Sequence, residues 1–268
     1  MRIETLVATI DQTDHSLVEK MNIQTDSLVG NQRGSSSEEV FDFHGNKVVY
    51  FNSAERGVGK NRNVLIQNAT ADICLFADDD MQFIDGYPQI VEKAFEECPD
   101  ADILIFNLLE RQPRRPVTKQ ITRIHKYNYA KYGAARIAFR RQSVLSAGIR
   151  FDLSFGGGTE HGSGEDTIFL WDCLKKKLKI CAVPYALAEI DQTAVSTWFK
   201  GYNEKFFRDK GALYASIHPW LWPLYSLHHV MRYRRKFGNN VPLTTAFRWM
   251  LKGGRAYQAG VKGATNEI

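Results

Sequence analysis

The stretch Ile73-Cys-Leu-Phe-Ala-Asp-Asp-Asp-Met81 decides how the chain is read. Residues Ile73 to Ala77 have the length and apolar character of a buried strand. Three carboxylates, Asp78, Asp79 and Asp80, follow without a break. Adjacent negative charges repel one another, and a buried strand leading into them worsens their desolvation. A cation relieves both costs. A divalent metal carrying a phosphorylated substrate is one such cation; a solvated acidic turn is the plainer alternative.

Strand-like and helix-like runs alternate around this stretch. Strands are expected at 6–10, 27–29, 47–51, 73–77 and 103–106, and helices at 16–21, 59–67 and 88–97, the last with Pro88 near its first turn. Such alternation predicts an α/β fold with a mostly parallel sheet covered on both faces. In these sheets ligands bind beyond the carboxyl ends of the strands, where Asp78 to Asp80 stand. Residues 134–140 read as a strand and 142–147 as a short helix. The run Phe155-Gly-Gly-Gly-Thr-Glu-His-Gly-Ser-Gly164 reads as a mobile surface loop opening onto a helix that starts at Glu165-Asp166. Lys179 to Val183 reads as a strand stopped by Pro184, and 201–214 as a helix.

At 268 residues, 44% of them hydrophobic, the chain is long and apolar enough for a sizeable core. Its start lacks the pattern of a signal peptide, and no apolar run reaches the length of a membrane span. Cys74, Cys98, Cys173 and Cys181 show no metal-type spacing and are expected to be reduced core residues of a cytosolic protein. The net charge of +5 hides a segregation: residues 1–110 carry 8 Lys/Arg against 20 Asp/Glu, whereas residues 111–150 carry 11 against none. Residues 200–268 are again basic, 12 against 3. Basic stretches suit polyanionic partners. Nucleic acid is disfavoured by the acidic first half and the lack of a recognition motif.

Two further segments carry chemistry. Gly57-Val-Gly-Lys-Asn-Arg-Asn63 opens a helix but fits neither the dinucleotide fingerprint nor the P-loop. It offers backbone N–H groups, Lys60 and Arg62 to a nucleotide, or is an ordinary loop with solvated basic residues. Gly164-Glu-Asp-Thr167 places Glu165 and Asp166 where a helix dipole stabilises them, or where a general base meets a hydroxyl behind a closing loop.

In order and spacing, Gly57–Asn63, Phe76-Ala-Asp-Asp-Asp-Met81 and Gly164–Thr167 resemble the family 2 glycosyltransferases of GT-A fold over about residues 3–190. The resemblance implies a Rossmann-like sheet in a domain at 1–215, followed by a helical extension at 216–268. It implies an inverting transfer of sugar from a nucleotide-diphosphate donor, UDP-linked above others, to a hydroxyl of a glycan or lipid-linked acceptor. Asp78 and Asp80 would hold Mn²⁺ or Mg²⁺ and the diphosphate, Asp79 would lie near the donor, and Thr9, Gln32, Lys60 and Arg62 would complete the donor site. Asp166 would be the base, Glu165 its neighbour in positioning, and Gly157, Gly158 and His161 the acceptor loop. This chain departs from the family at Thr9-Ile-Asp-Gln12 and at Val29-Gly-Asn-Gln32, where Asn31 or Gln32 would have to read the base. The alternatives are a metal-dependent nucleotidyltransferase, a glycoside hydrolase, or a nucleotide-sugar or polyanion-binding protein without catalysis.

The tail holds Trp220-Leu-Trp-Pro-Leu-Tyr-Ser-Leu227, then Arg232, Arg234, Arg235 and Lys236. Aromatics beside cations suit a peripheral contact at the inner face of a membrane; a packed helical pair with a solvated basic face is the alternative. His218, His228 and His229 are expected to be structural or interfacial.

Overall fold

A computed structural model describes residues 1–111, 116–191, 199–238 and 240–265. They form two compact units, one of Met1–Leu153 with Phe169–Val195 and one of Ser154–Ile168 with Ser196–Ile268.

The first unit is a sheet with helices packed on it. Its opening half runs β1 (Ile3–Ile10), α1 (Ser16–Lys20), β2 (Asp26–Gln32), β3 (Ser37–Phe43), β4 (Asn46–Ser53), α2 (Val58–Asn68) and β5 (Ile73–Asp78). Then come β6 (Met81–Phe83), α3 (Tyr87–Glu97), β7 (Ile103–Leu109), β8 (Thr122–Arg123), β9 (Ile137–Arg140) and α4 (Arg141–Ser146). After α5 (Glu165–Lys175), β10 (Ile180–Ile190) closes the unit. Among the described residues the sheet order is β3-β4-β2-β1-β5-β9-β7-β10-β6, with β8 on β10.

The sheet is mixed. Strands β4, β2, β1 and β5 are parallel, as are β7 and β10, while β9 runs antiparallel between β5 and β7. Register fixes what meets at the carboxyl edge. Ala8 of β1 faces Asp78 of β5, and Thr9 and Ile10 face Asn31 and Gln32 of β2. The acidic cluster therefore emerges beside the ends of β1 and β2.

Alternating strands and helices bury the core expected of them. Val7, Val29, Leu75, Leu104 and Phe106 of the sheet pack with Tyr87 and Phe95 of α3. A second aromatic group lies around Phe76, within 4.8–5.8 Å of Phe139, Phe151 and Phe169. All four cysteines are buried and free, as expected.

Two strand expectations are corrected. Strand β3 was not anticipated: it forms a hairpin with β4 through His44 and Gly45, both at positive φ, 53° and 81°. The His-Gly pair supplies the mirror-image turn that suits hairpin twist. Strand β10 does not stop at Pro184 but continues to Ile190. Its pairing with β7 jumps from Ala182 to Ala186, a bulge that spares Pro184 a ladder hydrogen bond it cannot donate.

The second unit holds α6 (Glu204–Ile217), α7 (Trp222–Phe237) and α8 (Leu243–Thr265) around Phe207, Val230, Phe237, Val241, Ala246 and Met250. Helices α6 and α8 touch backbone to backbone. A Cβ on Gly211 would lie 1.9 Å from the Met250 carbonyl oxygen, and one on Gly253 would lie 2.0 Å from that of Arg208. The expected boundary at 215/216 thus falls inside α6, which shares its core with the helices after it. The glycine segment 154–164 belongs to this unit as well.

Candidate active site

Each aspartate of the cluster has its own surroundings. Asp78 Oδ1 accepts a 2.7 Å bond from Arg62 Nη2; the arginine side chain is 4% exposed and the aspartate 41%. Arg62 also lies over the Phe151 ring at 5.3 Å. Asp79 Oδ2 accepts a 2.5 Å bond from the hydroxyl of buried Thr9, which itself accepts from Gln12 Nε2 at 3.0 Å. Asp80 is half-buried, and its carbonyl oxygen accepts from the Asp191 N–H at 2.9 Å. Asp80 also walls a cleft of about 670 Å³ with Glu110, Arg111, Glu189 and Asp191. Thr9, Arg62, Asp78 and Asp79 are therefore brought together at one sheet edge, in two bonded pairs that adjoin along the chain at Asp78 and Asp79.

The Gly57–Asn63 segment builds that edge. Gly57 has φ +124°, a backbone conformation that favours glycine, and its N–H donates to Gln32 Oε1 at 2.7 Å. A Cβ on Gly59 would lie 2.9 Å from the Asp152 carbonyl oxygen. Asn61 donates to the Gly30 carbonyl at 2.6 Å, and Asn63 exchanges bonds of 2.9 and 2.8 Å with the backbone of Phe151. Helix α2 is thereby locked in register with β2, and Arg62 is aimed at Asp78. Arg62 is not a solvated loop cation. Lys60 is different: it is exposed and paired with Glu55. Gln32 is buried with its amide oxygen committed to Gly57, and Asn31 is bonded to Gln12 and Asn52. Both amides that sequence reasoning offered to a base thus brace the scaffold. Asp11, exposed at φ +54°, pairs with Arg56.

In the second unit the glycine segment is pinned down rather than loose. Gly156 and His161 exchange backbone bonds with their neighbours, 2.8 Å from Gly156 N to the His161 carbonyl and 3.0 Å from His161 N to the Ser154 carbonyl. Phe155 is fully buried, 4.7 Å from the His161 ring and 5.7 Å from that of Tyr257. His161 is no solvated loop histidine: Nδ1 lies 3.2 Å from Asp209 Oδ1, with both side chains nearly buried. Asp209 also accepts from the Gly162 N–H at 3.1 Å and from Lys205 at 2.9 Å. Burial pushes the Asp209 carboxyl up, but the bonds from His161, Lys205 and Gly162 outweigh it and hold it below the usual carboxylate range. Gly157 and Gly158 form the exposed tip. Beside the loop, His161, Asp209, Arg208, Glu160 and Tyr257 wall a cleft of about 710 Å³.

Glu165 and Asp166 form the first turn of α5. Glu165 Oε2 accepts from the Gly164 N–H at 3.0 Å, the bond that a helix start needs. Beside them lies a residue that sequence reasoning missed, Lys210 of α6. Its ammonium lies 3.4 Å from Ser163 Oγ and 5.8 Å from the centre of the Phe206 ring. Burial pulls its pKa below the ordinary lysine value, against the opposing pull of Glu165, Asp209 and Asp166. The available signal was its place between Phe207 and Gly211 on the inward side of α6.

Asp78 and Asp80 fit a hard divalent ion of limited coordination. No group of three or more His, Cys, Asp or Glu is placed to hold a metal among the described residues. Mg²⁺ and Mn²⁺ are commonly bound by one or two carboxylates plus substrate phosphates and water. The donor set therefore suits an ion that arrives with a diphosphate, rather than one caged by protein.

Comparison with known proteins gives this arrangement its context. The family model described as "Glycosyl transferase family 2" matches residues 8–153. No curated protein sequence matches. Among solved structures, S. aureus TarS 1-349 in complex with UDP-GlcNAc superposes with a TM-score of 0.64 at 14% identity, over 91% of this chain and 77% of that one. The same protein in complex with UDP gives 0.62 at 15% identity, over 95% and 80%. These distant likenesses speak for the fold, and the family match, covering more than half the chain, speaks for the lineage. The chain belongs to glycosyl transferase family 2: it is a glycosyltransferase of GT-A fold with a helical C-terminal part.

Proposed function

We propose that the protein transfers a sugar from a UDP-sugar to a hydroxyl of a glycan or lipid-linked acceptor, with inversion, in the synthesis of cell-surface polysaccharide. The observation that carries the donor half is the linked edge Thr9–Asp79 and Arg62–Asp78 at the ends of β1 and β5. The TarS structures that superpose on this chain hold UDP-GlcNAc and UDP, which supports a nucleotide-sugar donor. Asp78 and Asp80 would hold a Mn²⁺ or Mg²⁺ ion, which when bound would supply positive charge to the diphosphate leaving group. Arg62, charged and dry, holds Asp78 in place and adds a cation near the phosphates. Thr9 orients Asp79.

Asp166 is the general base. Its carboxylate takes the proton of the acceptor hydroxyl as that oxygen attacks the anomeric carbon. The bond from that carbon to the diphosphate breaks on the opposite side, so configuration inverts. Glu165 caps its own helix and fixes the direction of the turn that carries Asp166. The loop at Gly157, Gly158 and His161 forms the acceptor side, with Tyr257 as a ring for a sugar face.

Thermal unfolding with UDP tests the donor half, since a ligand that binds only the folded state raises the melting temperature. With Mn²⁺ present UDP should stabilise the chain, a chelator should remove the effect, and Asp80→Ala should abolish it. A UDP shift that survives both would overturn the metal assignment.

A further inference from the structure

Helix α7 has two unlike faces. Trp222, Ser226, His229, Val230 and Phe237 are buried. At 100° per residue they share one side of the helix. The opposite side carries Leu224, Leu227 and Met231, which are 64%, 46% and 49% exposed. Trp220 and Leu221 extend this surface in the preceding turn, at 92% and 52%. Apolar side chains scattered singly over a surface are ordinary; a contiguous stripe marks an interaction site.

The same side continues into charge. Arg235 lies in line with Leu224 and Met231, and Arg232 and Arg234 flank the line; all three are exposed. Helix α7 contains no acidic residue. Cations in the last turn of a helix are favoured by its dipole, which accounts for some of them but not for the apolar stripe beside them.

We propose that this face of α7 docks on an anionic lipid surface. Trp220, Leu221, Leu224, Leu227 and Met231 enter the boundary between headgroups and acyl chains, while Arg232, Arg234 and Arg235 pair with lipid phosphates. Charge decides the occupant. A second copy meeting this face on itself would oppose three cations to three cations, whereas anionic headgroups complement them. The contact is interfacial, because no helix among the described residues is long and apolar enough to cross a membrane. It stands apart from the transfer reaction and is read without donor or acceptor.

The full chain should co-sediment with vesicles containing phosphatidylglycerol and phosphatidylcholine, much less with phosphatidylcholine alone, and less as salt is raised. Leu224→Ser with Met231→Ser should weaken that binding about tenfold or more, since each change removes apolar burial. Arg232→Gln, Arg234→Gln and Arg235→Gln together should do so selectively for the anionic vesicles. All variants should keep the parent circular dichroism spectrum, the altered side chains being exposed. Absence of sedimentation with the anionic vesicles, or unchanged binding by the Leu224/Met231 variant, would overturn the proposal. So would concentration-dependent dimerisation, lost in that variant, by a chain that ignores vesicles; this would assign the stripe to a second copy.

Discussion

Asp166 and Lys210 divide the electrostatics of the proposed acceptor side. Lys210 is a half-buried cation near Glu165, Asp166 and Asp209, so each carboxylate has a positive neighbour. Lys210→Met should raise the pKa of the base and shift the acid limb of the pH–rate profile upward, while UDP affinity stays level. An unmoved acid limb would remove Lys210 from the mechanism. Asp166→Asn should lower transfer by about 100-fold or more, the usual scale of a lost general base, and spare donor binding. His229 reports on a neighbouring part of the same unit. It is buried, bonded through Nδ1 to the Tyr214 hydroxyl at 2.8 Å, and its pKa is pushed down to about 4, by burial first and then by Lys210, His228 and Lys236. Its unfolded value is about 6.5. A folded pKa below the unfolded one means that the unfolded chain binds the extra proton. The stability tied to neutral His229 is therefore complete above about pH 6.5 and is lost as pH falls toward 4, by up to ~3 kcal/mol. Acid unfolding followed from pH 7 to 4 should be blunted in His229→Gln, though that variant starts less stable.

At the scale of elements, two devices set side chains that the proposed chemistry would use. The first is the start of α2, where Gly57, Gly59, Asn61 and Asn63 each meet backbone or a buried amide, so that Arg62 reaches Asp78. Gly59→Val should destabilise the fold and disturb donor binding together, measured by melting temperature and UDP affinity, because its Cβ has only 2.9 Å to the Asp152 carbonyl oxygen. The second is Asp209 of α6, which gathers His161, Gly162 and Lys205 onto one carboxylate. Asp209→Ala should release the glycine segment, raising KM for the acceptor more than for the donor. Equal effects on both would separate that segment from acceptor binding. The backbone contact of α6 with α8 has no such slack: Gly253→Ala should cost several kcal/mol, of the order of an overpacked core or more.

At the scale of the whole molecule, the fold is a sheet whose carboxyl edge carries the aspartate cluster proposed for the donor, joined in sequence to a helical unit that carries Asp166, the proposed base, and the basic tail. Much of this was legible. The apolar strand ending in Asp78-Asp79-Asp80, the glycine-rich helix entry and Glu165-Asp166 at a helix start are local patterns, because each needs only residues adjacent in the chain. So are the buried reduced cysteines, which lie in apolar runs. Less legible were features that depend on what lies across the sheet or across a helix pair. Pro184 reads as a strand stop, yet a bulge against β7 lets β10 pass it. Gln32 reads as a base-reading amide, yet Gly57 from 25 positions away takes its oxygen. Lys210 reads as one more surface lysine, yet helix packing half-buries it beside Glu165, Asp166 and Asp209. The chain order of motifs pointed to the family and singled out the carboxylates proposed to react. Tertiary structure decided which neighbours those groups have, and so which of them are braced, which are charged and which face solvent. The physical reason is that hydrogen bonding and desolvation act over a few ångströms in space, while sequence records only distance along the chain.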